Sequence, residues 1–383
     1  MRRNKRLLGG FGLPAVVLLS LFLVVAGCGK GAPASQAPAK DAGAKGGIKS
    51  VEELVKSLEG VSPQEREKTL VEGAKQEGGA FSLYTSFNAD DADTYKNAFV
   101  KKYPFMKPTL FRAGSGKVTD RVVTESRAGK SLWDVADVSA DFTYGFEQAG
   151  VLAKYTSPVK DKIDKRLYDP QGFWVGVATE PLAIAWNTNL VKAGEAPKRY
   201  DDLLDPKWKS KFALDTEDYN WALFILMQKG EKEGKDFLTK LAANKPQMIR
   251  GRSNQLEMLV AGEFPVAAAM LEHRLVQYKA KGAPIDFTYV RPALVGLEGL
   301  YLDKKTPHPY GALLFMDWIL GEGQQAIAKS GRTGVVKGLQ YNYPRQGEGL
   351  EGDFSVVNPE EMAKNERVIT KFFNETFSLT KTK

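Results

Sequence analysis

Apolar residues recur along this chain in two rhythms. Short unbroken runs such as "AFSLYT", "PTLFR" and "LWDVADVSA" alternate with stretches whose apolar positions return every three or four residues. The first rhythm predicts strands and the second amphipathic helices. After "AFSLYTS", Asn88 is placed to cap a helix over 89–102, with Ala92, Tyr95, Ala98 and Phe99 on one face. "PTLFRAG" leads into a helix closed by Gly129, and "LWDVADVSA" into one begun by Asp141. Further on, 174–188 reads as one extended apolar segment, 212–215 as a strand followed by a buried helix from Tyr219, and 253–262 as a helix ending at Gly262. "PVAAAMLEHRL" is a strand running into a helix, "IDFTYV" is extended, and two helices over "PYGALLFMDWILGEGQQAIAKSG" precede a charged C-terminal tail. Strand–helix alternation of this density predicts an α/β protein with a parallel sheet covered on both faces.

Upstream the pattern changes. Two short helices are expected within 49–77, the second opening at Ser62-Pro63 with Glu65 three residues after Ser62. Residues 28–48 are mostly Gly, Ala, Pro, Ser and Lys, a flexible tether that buries no core. Residues 1–27 carry a basic start, an apolar run over 11–25 and small residues before Cys28, the order of a secretory signal.

Composition narrows the chemistry. Cys28 is the single cysteine in 383 residues, which excludes an internal disulfide or a CxxC pair. Two histidines, His273 and His308, exclude a multi-histidine zinc site. Four of the eight net positive charges lie in Arg2, Arg3, Lys5 and Arg6, so the remainder is too mildly basic to suggest nucleic acid. The length favours two lobes over one core.

Several motifs fail on context. "RAGSGKVT" has Phe111 where a phosphate loop needs glycine, and Val118 where it needs Ser or Thr. "GEGLEG" over 347–352 follows no strand and is expected to be a surface loop. "NADDADTY" lacks the sixth-position glycine of a calcium loop; Asp90, Asp91 and Asp93 suit a helix first turn. His308, between two prolines in "TPHPY", is expected to face solvent. No catalytic motif stands out, so no enzyme is expected and no cofactor is implied.

Polar strand ends remain. Thr85, Ser86 and Asn88 end the first, Ser115 and Lys117 follow the second, and Ser139 and Asp141 end the third. Ligands of open α/β sheets bind outside the carboxyl ends of strands. Each of Asn88, Ser115 and Asp141 reads alternatively as a helix cap alone.

The ordered pieces "LVEGAKQEGG", "LYTSFNADDADTYKNAFVKKYP", "RAGSGKVTDRVVTESRAGKSLWDV", "WNTNLV", "YDDLLDPKWKSKFALD", "LVAGEFPVAAA" and "HPYGALLFMDWILGEGQQ" resemble the bacterial extracellular solute-binding proteins of ABC importers, in the branch related to ferric-iron-binding periplasmic proteins. The stretch "VAGC" resembles a lipoprotein lipobox, with Cys28 as the acylated residue. The resemblance implies a type II periplasmic binding protein fold, two α/β lobes joined by crossings at 174–188 and 285–291 around a ligand cleft. Lobe 1 would be 78–176 and 288–325, and lobe 2 would be 177–287 and 326–383. It implies a monomeric, lipid-anchored receptor on the extracytoplasmic side, partnered by a permease and an ATPase.

The ferric branch places a histidine, a glutamate and a tyrosine pair at its metal; here the matching positions hold Asn88, Ser139 and His273-Arg274. No ligand type is kept, so a bare ferric ion is not the expected solute, and His273 with Glu272 would be the residual ligands of that alternative. Thr179, Glu180, Glu217, Asp218 and Glu272 match second-lobe turns or lie beside them. Together with Lys117 and Arg274 they would suit a solute bearing both charges or a chelated metal; alternatively these acids pair with surface Lys and Arg. Tyr144, Tyr219 and Trp221 could stack on a ligand or fill the core. A fold of this kind also serves enzymes and sensors, and a surface structural lipoprotein is the third alternative.

Overall fold

The computed structural model describes residues 50–379. The signal segment, Cys28 and the tether lie outside the described residues.

Two helices come first, α1 (Val51–Ser57) and α2 (Pro63–Gln76), the second capped by Ser62 as its spacing to Glu65 predicts. The first α/β units follow: β1 (Ala80–Thr85), α3 (Ala89–Lys102), β2 (Lys107–Arg112), α4 (Ser115–Arg127), β3 (Val135–Ser139) and α5 (Thr143–Ala149). The chain then runs along β4 (Val175–Asn187) into β5 (Phe212–Asp215), α6 (Tyr219–Lys229), α7 (Glu231–Ala243), β6 (Gln247–Ile249), α8 (Arg252–Ala261), β7 (Val266–Leu271), α9 (Glu272–Ala280) and β8 (Ile285–Thr288). It returns through β9 (Ala293–Leu302), α10 (Pro309–Leu320), α11 (Gln324–Lys329), β10 (Thr333–Gly334), β11 (Phe354–Ser355) and α12 (Pro359–Thr376).

The strand order is β2-β1-β3-β9-β4-β7-β5-β6. β4 belongs to both halves: Val175–Pro181 pairs with β9, and Leu182–Asn187 pairs with β7 and β8. A parallel sheet describes only part of each half. β1 pairs in parallel with β2 and β3, while β9 is antiparallel to both β3 and β4. The antiparallel members are the returning crossings, which reverse the chain between halves. One face of the first half packs Phe81, Phe99, Phe315 and Trp318; the other packs Val118, Trp133, Phe146 and Tyr301. The second half packs Phe212, Trp221, Phe224 and Phe373 on one side, and Leu256, Phe264 and Phe287 on the other.

Five expectations change. β9 is a strand that its glycines and Glu298 concealed. The charged tail contains an 18-residue helix whose Met362, Ile369 and Phe373 are buried. "GEGLEG" is not a free surface loop: Gly347 and Gly349 are buried and donate their N–H groups to Glu272. His308 is half-buried, its Nδ1 3.0 Å from Asp134. Ile327 and Val335, beyond the first-lobe boundary at 325, pack into the first half.

Candidate functional site

The ends of β1 and β3 are braced from beneath. Thr85 is fully buried; its Oγ1 donates to Asp137 at 2.8 Å and accepts from the N–H of Phe87. Burial pushes the Asp137 carboxyl up to about 7, against the pull of those donors. Ser86 reaches further out, donating to Glu298 at 3.3 Å. Asn88 is exposed and caps α3, accepting from the Asp91 N–H. Gly114, not Ser115, caps α4; the Ser115 hydroxyl accepts from the Ser139 N–H at 3.1 Å and so ties two strand ends together. Lys117 is exposed. Asp141 caps no helix. It accepts from the Ser139 hydroxyl and, across to the second half, from the Asn220 amide of α6.

In the crossing, Thr179 is buried and donates to the Thr333 carbonyl, while Glu180 accepts from Arg332 at 2.7 Å. Arg332 also binds Asp91 at 2.6 Å and lies over the Phe87 ring, 4.7 Å from its centroid. Glu298 is buried in the same group, its carboxyl raised well above the usual range by burial and by Glu180. In the second half, Asp218 is buried against Arg252, whose Nε also donates to the Ala269 carbonyl. Glu217 is exposed and pairs with Arg250.

Glu272 is fully buried and accepts from Tyr289, Thr333, Gly347 and Gly349, so its carboxylate is spent internally. His273 beside it is buried with Nδ1 unpartnered; burial holds it well below its usual pKa, and Arg332 and Arg274 reinforce that shift. Arg274 is half-buried, 3.4 Å from the Ser253 hydroxyl. Of the aromatic residues, Trp221 is core, Tyr219 packs edge-on to Phe373, and Tyr144 is half exposed.

One cavity of about 110 Å³ gathers these strand ends, with Ser139 and Asp141 from the first half, Glu180 from the crossing, and Asn220, Arg252 and Leu271 from the second. A larger cavity of about 770 Å³ beside α5 and Phe354 is lined by none of the residues expected at the site. Sequence reasoning missed Asp137, Asn220, Arg252, Glu298 and Arg332. Glu298 left a trace as a lone acid within an apolar run, and Asp137 shares its run with Asp134. Among the described residues, no group of three or more His, Cys, Asp or Glu is arranged to hold a metal, and no helix is long and apolar enough to cross a membrane.

Two α/β lobes, two crossings between them and strand ends converging on an interlobe cleft define a type II periplasmic binding protein. Residues 130–347 match the model of the bacterial extracellular solute-binding protein family, and the chain belongs to that family. It is 21% identical over 235 residues to an Fe(3+)-binding periplasmic protein of Serratia marcescens, covering 59% of this chain and 69% of that one. A Trichodesmium protein solved in complex with iron and citrate superposes with a TM-score of 0.67 at 21% identity, covering 78% of this chain and 99% of that one. The periplasmic binding protein AfuA of Actinobacillus pleuropneumoniae, solved with fructose-6-phosphate, superposes at 0.65 with 22% identity, over 79% and 99%. These relatives are binding proteins, not enzymes, and membership implies an ABC importer as partner and a small ligand.

Proposed function

We propose that the chain is the lipid-anchored receptor of an ABC importer, holding a small charged organic solute or a chelated metal between its lobes. One observation carries this reading: Asp141, Glu180, Asn220 and Arg252, drawn from both lobes and the crossing, line one interlobe cavity. Binding at such a junction couples solute contact to hinge closure, which a permease can sense. The lobe limits given above belong to this proposal, with 326–336 moved to lobe 1 because Ile327 and Val335 pack there. A bare ferric ion is disfavoured, since Glu272 is saturated by four internal donors and Arg332 and Arg274 stand beside His273.

Native mass spectrometry of the detergent-released full chain tests the reading, with thermal melts against a broad solute panel. A co-purified small molecule that raises the melting temperature is expected. Turnover of that molecule would convert the reading to an enzyme, and a panel with no shift would leave a structural lipoprotein. Added ferric salt should give no visible tyrosinate band. For the anchor, Cys28→Ser should move the protein from the membrane to the soluble fraction; unchanged partition would remove the lipid from the proposal.

A further inference from the structure

Resting on that receptor reading, we infer that the interlobe cavity takes a primary organic ammonium, its nitrogen held by Asp141, Glu180 and the Asn220 amide oxygen and its alkyl body by the leucines and valines around them.

The amide orientation is the starting point. The Nδ2 of Asn220 donates to the Asp141 carboxylate, and the opposite orientation would set oxygen against oxygen. Its Oδ1 is thereby fixed as an acceptor, buried and without a donor. A buried acceptor left unpaired is costly, so a donor is called for at that point. Nearby charge points the same way. Asp141 receives only neutral donors, Ser139 and Asn220, while Glu180 and Arg252 act on it from a distance. Arg252 is bound to Asp218, and Arg332 is shared between Glu180 and Asp91. Arg252, the guanidinium that lines the cavity, is thus committed to Asp218, while two carboxylates, Asp141 and Glu180, share that lining.

The rest of the wall is hydrocarbon: Leu182, Leu271, Leu294, Leu297, Val356 and Val357. A bare metal ion needs oxygen around most of its surface and finds none on that side. An alkylammonium places three N–H donors at one end and CH₂ groups at the other, which matches both walls. At about 110 Å³ the space is well below the ~300–1,000 Å³ of sites for drug-sized ligands, so the body is short.

The test uses the full chain in detergent, with calorimetry and thermal melts against millimolar n-butylammonium, tetramethylammonium and butyrate. n-Butylammonium should bind saturably and raise the melting temperature. Tetramethylammonium, which has the charge but no N–H, and butyrate, which has the opposite charge, should not. Asp141→Asn should weaken n-butylammonium by about tenfold or more, and Asn220→Leu should also weaken it. Butyrate binding in place of the amine overturns the inference, as does unchanged affinity in a natively melting variant. If either variant fails to fold, the contrast among the three probes on the unaltered chain decides. A co-purified non-cationic solute with no n-butylammonium shift sinks this inference alone; no binding of any compound sinks the receptor reading as well.

Discussion

Asp137 has 2% exposure between β1 and β3, where burial raises its carboxyl to about 7. A carboxyl raised by folding keeps its proton in the native chain over a range where the unfolded chain, near ~3.9, has lost it. Its contribution is therefore complete below about 4 and fades as pH climbs to about 7. Asp137→Asn cannot ionise, so its stability relative to the unaltered chain should improve with pH. Urea melts should show a larger loss at pH 4.5 than at pH 8, and equal losses would refute the buried-proton account. Reach along the chain decides which residues of this kind can be read from sequence. Asn88 was legible as a cap because its partner Asp91 lies three residues away. Asp141 meets Asn220 at a separation of 79 residues, and Arg332 meets Asp91 at 241, so no local pattern carries either contact. Acids such as Glu272 and Thr-bearing strand ends were recognised as polar rim residues. That Glu272 would spend itself on the backbone of 347–349 depended on a loop whose path is set only by the folded whole.

At the scale of elements, alternation with clear caps was legible, and β5 and α6 begin where the pattern places them. β9 was not. Gly296 and Gly299 broke its apolar run, yet packing requires Gly299 to be small: a Cβ there would sit 2.3 Å from the Tyr301 hydroxyl, whereas one on Gly296 would make only ordinary contact with Glu180. α12 was hidden by its charged outer face. Phe373 has no exposure and packs against Tyr219 and Phe377, so Phe373→Ala should cost about 3–5 kcal/mol in urea unfolding. A cost near zero would mean the helix is not part of the cooperative core. The N-terminal helices make a similar claim on the first lobe. Arg66 of α2 forms a paired contact with Asp317 of α10, and Gly73 lies where a Cβ would come 2.1 Å from the Tyr310 ring. Gly73→Ala should therefore lose about 1–3 kcal/mol by pushing α2 off α10, despite alanine's better helix propensity. A gain in melting temperature would show that α2 is only loosely attached.

Across the whole molecule, β4 makes one sheet of the two lobes, but the crossings alone leave the angle between lobes to the contacts in the cleft. The Asp141–Asn220 hydrogen bond is such a contact, made from the first lobe to α6 of the second. Burial has already raised the Asp141 carboxyl, and Glu180 acts in the same direction. Asn220→Asp would set a second carboxyl against it. Near pH 5 one proton shared by the pair preserves the bond. At pH 8 both groups tend to ionise, and two like charges in a cleft of low dielectric repel strongly. The described residues 50–379 fall within one compact unit, for which size scaling gives a radius of gyration of about 20 Å. Small-angle scattering of that unit should therefore show the variant more open than the unaltered chain at pH 8 and indistinguishable from it at pH 5. The unaltered chain, whose amide does not titrate, should show no such change between the two. If the variant stays equally compact at both values, the lobes are held by the crossings and the Arg332 contacts with Asp91 and Glu180, and the Asp141–Asn220 bond follows closure instead of setting it.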